Sequence, residues 1–461
     1  MSAFISIVKQ TIKASVRSRV FHILAGALLL AVLGLPLTVE GPGTAVGELQ
    51  VAIRYPMSAV ILLVSLSSLW LGCANLPREI ETYRMHLVRT KPVPPWVIWV
   101  SKWCAVFLIH AVLFILAAAV VFGLIRWRVA SKDFTEKQLK RLEEEVLVGR
   151  RTYTPRRPEL WKAAEEEYQE LKEEGELSAD HNPQVIKRKL FREKKFQATE
   201  VRPNHEHVWV YDNVKTPPGG DSIYCRYRLY IGSPEKISKD ETAQRLTRGV
   251  WGVGAPGKPP ERTFYRQDKG GAFKKMRIPA GYVSEDNRLA LRYLNLDPGR
   301  EPVVFQLKDG PKLLVPVASF GGNYVRASVM VLIQLAFLAA LGCAAGAAFS
   351  TPVAVFVGVA YLVMGMAVGP ILERAEKSRV APGEERSAAQ TYVESLAVVV
   401  QHVVVSLDEY QTTGKLVDGR LISAELIGRG LLQLLILRGV VLASLGMYVL
   451  TRRELGRVMR T

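Results

Sequence analysis

Hydrophobic residues are concentrated towards both ends of the chain, while its middle is polar and charged. A helix needs about 20 mostly apolar residues to cross the hydrocarbon core of a membrane. A shorter apolar run at residues 395–407 predicts an interfacial or re-entrant helix. The pattern therefore predicts an α-helical polytopic membrane protein with six transmembrane helices and one large insert. The six stretches are residues 21–37, 57–74, 97–125, 327–349, 353–372 and 431–450.

In the short segments outside the large insert, lysine and arginine fall mostly on one side of this predicted topology. They occur before the first apolar stretch, in the loop at residues 75–96 and in the C-terminal tail, whereas the loop at residues 38–56 carries only Arg54. The positive-inside rule places the basic side in the cytoplasm. We therefore expect a multi-pass protein of the cytoplasmic (inner) membrane with both termini in the cytoplasm and residues 126–325 outside. The basic first segment has apolar residues at helical spacing and predicts an amphipathic helix on the membrane lipid.

The insert changes character along its length. Residues 126–205 are rich in Glu, Lys and Arg, with opposite charges about four positions apart, as in exposed helices. Residues 206–325 contain short alternating or aromatic runs separated by turn residues, which predict an antiparallel β-sandwich. This part loosely resembles jelly-roll carbohydrate-binding modules at the level of the fold. The expected domains are thus residues 1–125 with three spans, residues 126–205, residues 206–325, and residues 326–461 with three further spans.

Composition narrows the functional classes. The net charge is +18, but some of the excess lies beside apolar segments, and no zinc-finger spacing is evident, so nucleic acid is not an expected partner. Only Cys225 of the four cysteines falls in the insert, which excludes a disulfide framework there. The motif GVGAPGK at residues 252–258 has P-loop spacing, but Pro259 stands where a Ser or Thr should hold magnesium. We interpret the motif as a turn between strands of the insert. The segment before it, RLTRGVW, is not expected to be a buried strand.

The loop at residues 75–104 carries the most informative motif. Pro77 suits the first turn of a helix, Glu79 and Glu81 lie near its N-terminus, and prolines end it before the next span. This stretch resembles the coupling helix of ABC-2 type (type V exporter-like) ABC transporter permeases. The likeness lies in Glu79-x-Glu81, in Lys91-Pro92-Val93 and in Lys102. The segments AAFSTPVAVFVG, VVVSLDEYQTTGKLVDGRLIS and TRREL resemble further parts of the family, and the insert is not covered.

The resemblance implies a permease subunit that moves a substrate across the membrane, in the direction of export. It would form a homodimer or a heterodimer with a second permease, docked on a cytoplasmic ABC ATPase subunit. ATP and Mg²⁺ would bind that partner, so this chain is expected to hold no cofactor and no catalytic residue. Many members have a small hydroxyl residue in place of Arg84. The implied docking residues are Glu79, Ile80, Glu81, Arg84, His86 and Arg89.

Two other functions stay open at this point. The chain could be a membrane-anchored extracytoplasmic protein that binds carbohydrate or envelope material without transport, in which the spans serve only as an anchor. It could also be a polytopic enzyme acting on envelope lipid or glycan, although the sequence contains no recognisable catalytic motif. Six spans and a bracketed cytoplasmic helix favour the permease over the anchor.

Ligand hypotheses for the insert rest on two groups of residues. Trp209, Tyr227 and Tyr265 could stack on a glycan, although aromatic residues in such strands more often form the core. The motif His205-Glu206-His207 could place two imidazoles on one face of a strand, but no further metal ligand is evident and no metal is expected. Within the spans, His110 and Arg438 are the main ionisable groups, and we expect each to hydrogen-bond a neighbouring helix.

Overall fold

The computed structural model describes residues 2–39, 41, 43–83, 93–131, 134–156, 159–177, 182–216, 222–232, 245–307, 309–379, 392, 395 and 407–452. The chain divides into two compact units. The insert unit consists chiefly of Arg150–Ala318, and the helical unit takes in the chain before Arg150 and most of the chain after Ala318.

The helical elements comprise long apolar helices and shorter helices that connect or flank them. A π-helical turn (Leu30–Gly34) links the second and third helices into one continuous run, and a π-helical segment (Leu431–Gly439) does the same near the C-terminus. The helices are α1 (Ser2–Val16), α2 (Arg19–Leu29), α3 (Leu35–Thr38), α4 (Ala45–Glu81), α5 (Pro95–Ser131), α6 (Glu136–Glu145), α7 (Leu160–Glu173), α8 (Pro183–Thr199), α9 (Phe320–Ala348), α10 (Thr351–Arg379), α11 (Thr413–Val417), α12 (Ala424–Gly430) and α13 (Val440–Arg452).

Among the described residues, four helices are long and apolar enough to cross a membrane. They are α4, α5, α9 and the run Ala424–Arg452 formed by α12, the π-helical segment and α13. A fifth is counted if α1 and the helix after it, which meet at a bend of 67°, make one broken span. Helix α10 contributes an apolar segment, Thr351–Ala367, that is shorter than a typical span. Four of the six predicted membrane helices thus have the length and composition to cross a membrane, and six spans are not established. The predicted helix at residues 395–407 lies almost wholly outside the described residues.

The packing of α4 against α9 depends on glycines. A Cβ atom on Gly72 would lie 3.0 Å from the Cα of Gly342, and one on Gly346 would lie 2.8 Å from the carbonyl oxygen of Cys73. Small residues let two membrane helices approach until their backbones touch. Because Pro77 has no N–H, it leaves the Cys73 carbonyl without its helical partner, and this oxygen lies beside Gly346.

The prediction that Pro77 begins a helix is wrong. This proline lies inside α4, which continues without a break to Glu81. A proline is tolerated within an apolar helix when neighbouring helices cover the freed backbone carbonyl. The helix ends where Tyr83 adopts a left-handed conformation, with φ of 58°. The predicted short helix therefore starts as the last turn of α4, and its remainder, residues 84–92, lies outside the described residues.

The insert unit contains antiparallel sheets, as predicted for this region. Two four-stranded sheets have the orders β1-β11-β4-β8 and β3-β9-β6-β7, and a short three-stranded sheet has the order β2-β10-β5. Both four-stranded sheets contribute to one hydrophobic core, which includes Cys225 and Met276 from the first and Trp251 and Leu291 from the second. The strands are β1 (Val148–Tyr153), β2 (Glu200–Val201), β3 (Glu206–Tyr211), β4 (Ser222–Tyr227), β5 (Tyr230–Ile231), β6 (Leu246–Gly254), β7 (Arg262–Lys269), β8 (Lys274–Pro279), β9 (Leu289–Asn295), β10 (Val303–Val304) and β11 (Lys312–Ser319).

The GVGAPGK motif joins two of these strands. It covers the end of β6 and the turn before β7, and Gly257 has a positive φ of 78°, so the predicted turn is confirmed. The expectation that no buried strand precedes it is wrong. Strand β6 lies between β9 and β7, and its Trp251 and Val253 are fully buried. A strand, and not a helix, follows the motif.

The division into units differs from the predicted domain limits. Helix α6 belongs to the helical unit, because Leu142 at its end and Val146 just beyond it join the same hydrophobic cluster as Ile53 of α4. Helices α7 and α8 belong to the insert unit with the sheets. They form a pair around Ala164, Tyr168 and Leu190.

Candidate functional site

A buried lysine lies near the start of α5. The Lys102 side chain is 4% exposed, and its ammonium forms an ion pair with the carboxylate of Glu79 in the last turn of α4. The ammonium also donates to Thr11 Oγ1 of α1 over 3.0 Å. A buried ammonium is costly unless it is paired and hydrogen-bonded. These three residues, the buried ion-pair cluster, therefore fix α1, α4 and α5 to one another.

One face of helix α1 is buried against the bundle and carries two hydroxyl residues. Val8, Thr11 and Ser15 are buried, whereas Ile5 and Val16 are exposed. These buried positions lie three and four residues apart, which places them on one face of a helix. The amphipathic helix is present, but the hydroxyl of Thr11 on its buried face serves as a partner for Lys102.

A cavity of about 230 Å³ with both polar and apolar lining adjoins the ion-pair cluster between α1, α2, α4 and α5. His110 lies at its wall, with Nδ1 2.7 Å from the Val106 carbonyl oxygen and Nε2 3.0 Å from Ser67 Oγ. Because a carbonyl only accepts, Nδ1 carries a proton and donates to Val106, while Nε2 shares a hydrogen bond with the Ser67 hydroxyl of α4. The expectation that His110 hydrogen-bonds a neighbouring helix is confirmed. Further polar lining comes from Thr11, Ser15, Ser18, Asn75, Arg78 and Glu79.

The predicted docking residues divide into different environments. Glu79 is turned inward to Lys102, and Ile80 packs against a hydrophobic cluster of α4, α5 and α9. Glu81 is exposed at the end of α4. The other three, Arg84, His86 and Arg89, lie outside the described residues.

The C-terminal stretch that resembles the family, residues 403–423, is described from residue 407 onwards, and a buried asparagine anchors it. Asn323 of α9 donates from Nδ2 to the Arg420 carbonyl over 2.8 Å, and its Oδ1 accepts from the Ile422 N–H over 2.8 Å. Gln334 of the same helix donates to the Tyr410 carbonyl over 3.0 Å. The available signal was the pair of carboxamides, Asn323 and Gln334, within a largely apolar helix, since buried amides need partners.

The structure does not bring the three predicted glycan residues together. Trp209 is 9% exposed and packs on Trp251, and Tyr227 is fully buried and donates its hydroxyl to Asp268 over 2.6 Å. Tyr265 is 81% exposed on β7. In the registers of β3, β9, β6 and β7, Tyr265 aligns with Val250 and not with the row of Trp209, so it lies on the opposite face.

The two histidines of the His-Glu-His motif also differ. His205 is exposed, with Nδ1 2.9 Å from the Pro203 carbonyl, and His207 packs against Trp209. Burial lowers the pKa of His207. Within the part of the chain that the structure describes, no group of three His, Cys, Asp or Glu side chains could hold a metal ion.

A cleft of about 750 Å³ lies in the insert unit, between β3, residues 305–312 and helices α7 and α8. Four basic side chains and one carboxylate, Glu159, line it. The cleft is also lined by His207, from the predicted metal motif, and by Trp209, from the predicted glycan residues. Its residues come from five separate segments, which is why sequence spacing did not reveal it. The basic lining residues are Arg156, Lys162, Lys194 and Lys312.

Comparison of the chain with models of protein families, with curated proteins and with solved structures finds no match. Two features of the described residues therefore bear on function: the buried ion-pair cluster of the helical unit and the basic cleft of the insert unit.

Proposed function

We propose that this chain is the membrane-spanning permease subunit of an ABC-2 type ABC transporter. In this proposal it forms a dimer, with itself or with a second permease, and docks on a separate cytoplasmic ATPase that binds ATP and Mg²⁺. Closure of the ATPases moves the coupling segment and opens a path for export. The proposal rests on the resemblance of residues 75–104 and of the C-terminal stretch, together with the contacts below.

The buried ion-pair cluster is the observation that carries the proposal. Glu79 and Lys102 lie on either side of the segment 82–94, which joins α4 to α5. A force applied to that segment acts at once on both long helices, and through Thr11 on α1. Such a rigid connection is what a transporter needs to convert a push at its cytoplasmic end into a movement of its helices.

The predicted docking residues then have separate roles. Exposed Glu81 is available to a partner, whereas Glu79 is committed to Lys102 and transmits movement. Arg84, His86 and Arg89 remain proposed docking residues on the same segment. A charge reversal at Glu81 therefore tests docking, and neutralisation of Glu79 tests transmission.

The proposal includes a topology. The six spans would be α2 with α3, then α4, α5, α9, α10, and α12 with α13. Both termini would lie in the cytoplasm, and the insert would lie outside the inner membrane as a jelly-roll-like sandwich. The basic segments at residues 9–19 and 84–91 support this orientation through the positive-inside rule.

The experiment is purification of the tagged chain from its native membrane, followed by reconstitution into liposomes. We expect an ATPase chain with a P-loop to copurify and to hydrolyse ATP. Glu81→Lys should release this partner, and Glu79→Gln should retain it with reduced hydrolysis. Glu425→Lys is the matched control, because Glu425 is equally acidic, is exposed and begins α12. Purification without any ATPase, or equal effects of Glu81→Lys and Glu425→Lys, would refute the proposal.

A further inference from the structure

The geometry points to the cleft of the insert unit as a binding site for an acidic saccharide, whose negative charge is a carboxylate or a phosphate. This inference concerns a ligand of the insert and does not depend on transport. Its volume of about 750 Å³ falls within the range of roughly 300–1,000 Å³ that is typical of small-ligand sites.

The charge of the lining favours an anion. Arg156, Lys162, Lys194 and Lys312 face one carboxylate, Glu159. One of these cations is held in place, since Lys194 pairs with Glu167 over 2.8 Å, whereas Lys162 and Glu166 form a longer, exposed pair at 3.9 Å. Neither of those glutamates lines the cleft. A positioned cation loses less conformational freedom when it binds a ligand.

The neutral part of the lining favours hydroxyl groups. Thr154, Gln197 and Gln306 supply donors and acceptors, and the rings of His207 and Trp209 lie beside them. Burial lowers the pKa of His207 and so favours its neutral ring, and a neutral imidazole can both donate and accept. Sugars present many hydroxyls on an apolar ring, which is the chemistry that this mixture of polar and ring groups suits.

A peptide fits less well. Strand β3 lies at the edge of its sheet, and an extended peptide would bind by adding a strand there. The Arg156 N–H already donates to the Val210 carbonyl of β3 over 3.0 Å, so residues 154–156 occupy part of that edge. An anionic ligand in this cleft would therefore contact side chains and not the strand backbone.

Isothermal titration calorimetry on the full chain, in a detergent without a sugar headgroup, tests the inference. The probes are oligogalacturonate, glucose 1-phosphate, a neutral oligosaccharide of equal length, an acidic peptide and inorganic phosphate. We expect one of the two acidic saccharides to bind, and which one binds identifies the charged group. Arg156→Gln and Lys312→Gln should each weaken binding about tenfold, from the loss of a charge-assisted hydrogen bond.

Two variants keep the result interpretable. Lys172→Gln, on an exposed site of α7 outside the cleft, should bind like the unaltered chain. Arg156→Lys keeps the charge and should retain most of the affinity, which separates loss of charge from misfolding. The inference is overturned if neither acidic saccharide binds, if the neutral sugar, the peptide or phosphate alone binds as tightly, or if Lys172→Gln weakens binding as much as Arg156→Gln.

Discussion

Neutralising Glu79 should destabilise the helical unit more than any surface ion pair does. The Lys102 side chain is 4% exposed and Glu79 is 22% exposed, so the Glu79→Gln variant leaves a buried ammonium without its counter-charge, with the Thr11 hydroxyl and the new amide oxygen as neutral acceptors. Removal of one partner from a buried pair costs about 3–5 kcal/mol. Because Glu79 retains some contact with solvent, we expect about 3 kcal/mol, the lower end of that range.

The double variant separates this effect from general damage. Replacing both partners with uncharged residues of similar size is often close to neutral, so Glu79→Gln with Lys102→Met should recover about 2 kcal/mol or more. The assay is equilibrium unfolding in mixed micelles, followed by far-ultraviolet circular dichroism. Glu425→Gln is the control, since its pair with Arg429 is 71% and 60% exposed and should contribute no more than about 0.5 kcal/mol. Additive single and double variants would refute the view that this pair connects the helices.

Three further predictions concern packing, pH and thiol reactivity. Gly346→Val should lower stability by about 1–3 kcal/mol, because its Cβ would press on the Cys73 carbonyl, while Gly26→Val, with no atom within 4 Å of its Cβ, should not; unfolding in micelles compares them. Burial lowers the pKa of His207 from 6.5. The stability of the insert should therefore be constant above pH 6.5 and should fall as the pH drops from 6.5 through the lowered value. His207→Gln should remove this slope in melting temperature, and an unchanged slope would contradict the prediction. Burial raises the pKa of Cys225, so iodoacetamide should modify it, by peptide mass spectrometry, only at denaturant concentrations that unfold the insert; labelling of the folded chain would contradict this.

Strands such as β3 and β8 were predictable because buried and more exposed residues alternate along them. Strand β6 was not predicted, because glycines such as Gly249 and Gly252 are more typical of loops than of buried strands. The structure gives these glycines a packing reason, since a Cβ on Gly249 would meet the ring of Tyr293 and one on Gly252 would lie 2.9 Å from Pro260. A close approach of this kind depends on a partner strand, which local sequence does not identify.

The candidate sites were harder to predict than the elements that hold them. Glu79 and Lys102 both belong to the motif found in the sequence. Predicting their ion pair would have required the rotation of α4 relative to α5, which the sequence does not reveal. The lone lysine in an apolar helix was a usable signal, because such a charge is rarely left without a partner. Tyr265 and Trp209 shared an aromatic character that suggested one surface, yet strand register places them on opposite faces.

The role of the segment from Glu81 to residue 94 as the site of ATPase docking is the central claim. A photo-crosslinking amino acid in place of Glu81, tested with the copurified ATPase in membrane vesicles, addresses it directly. We predict a crosslink from position 81 to the ATPase and none from the same group in place of Glu425, which is exposed on α12. Equal crosslinking from both positions, or crosslinking only from position 425, would contradict the proposal.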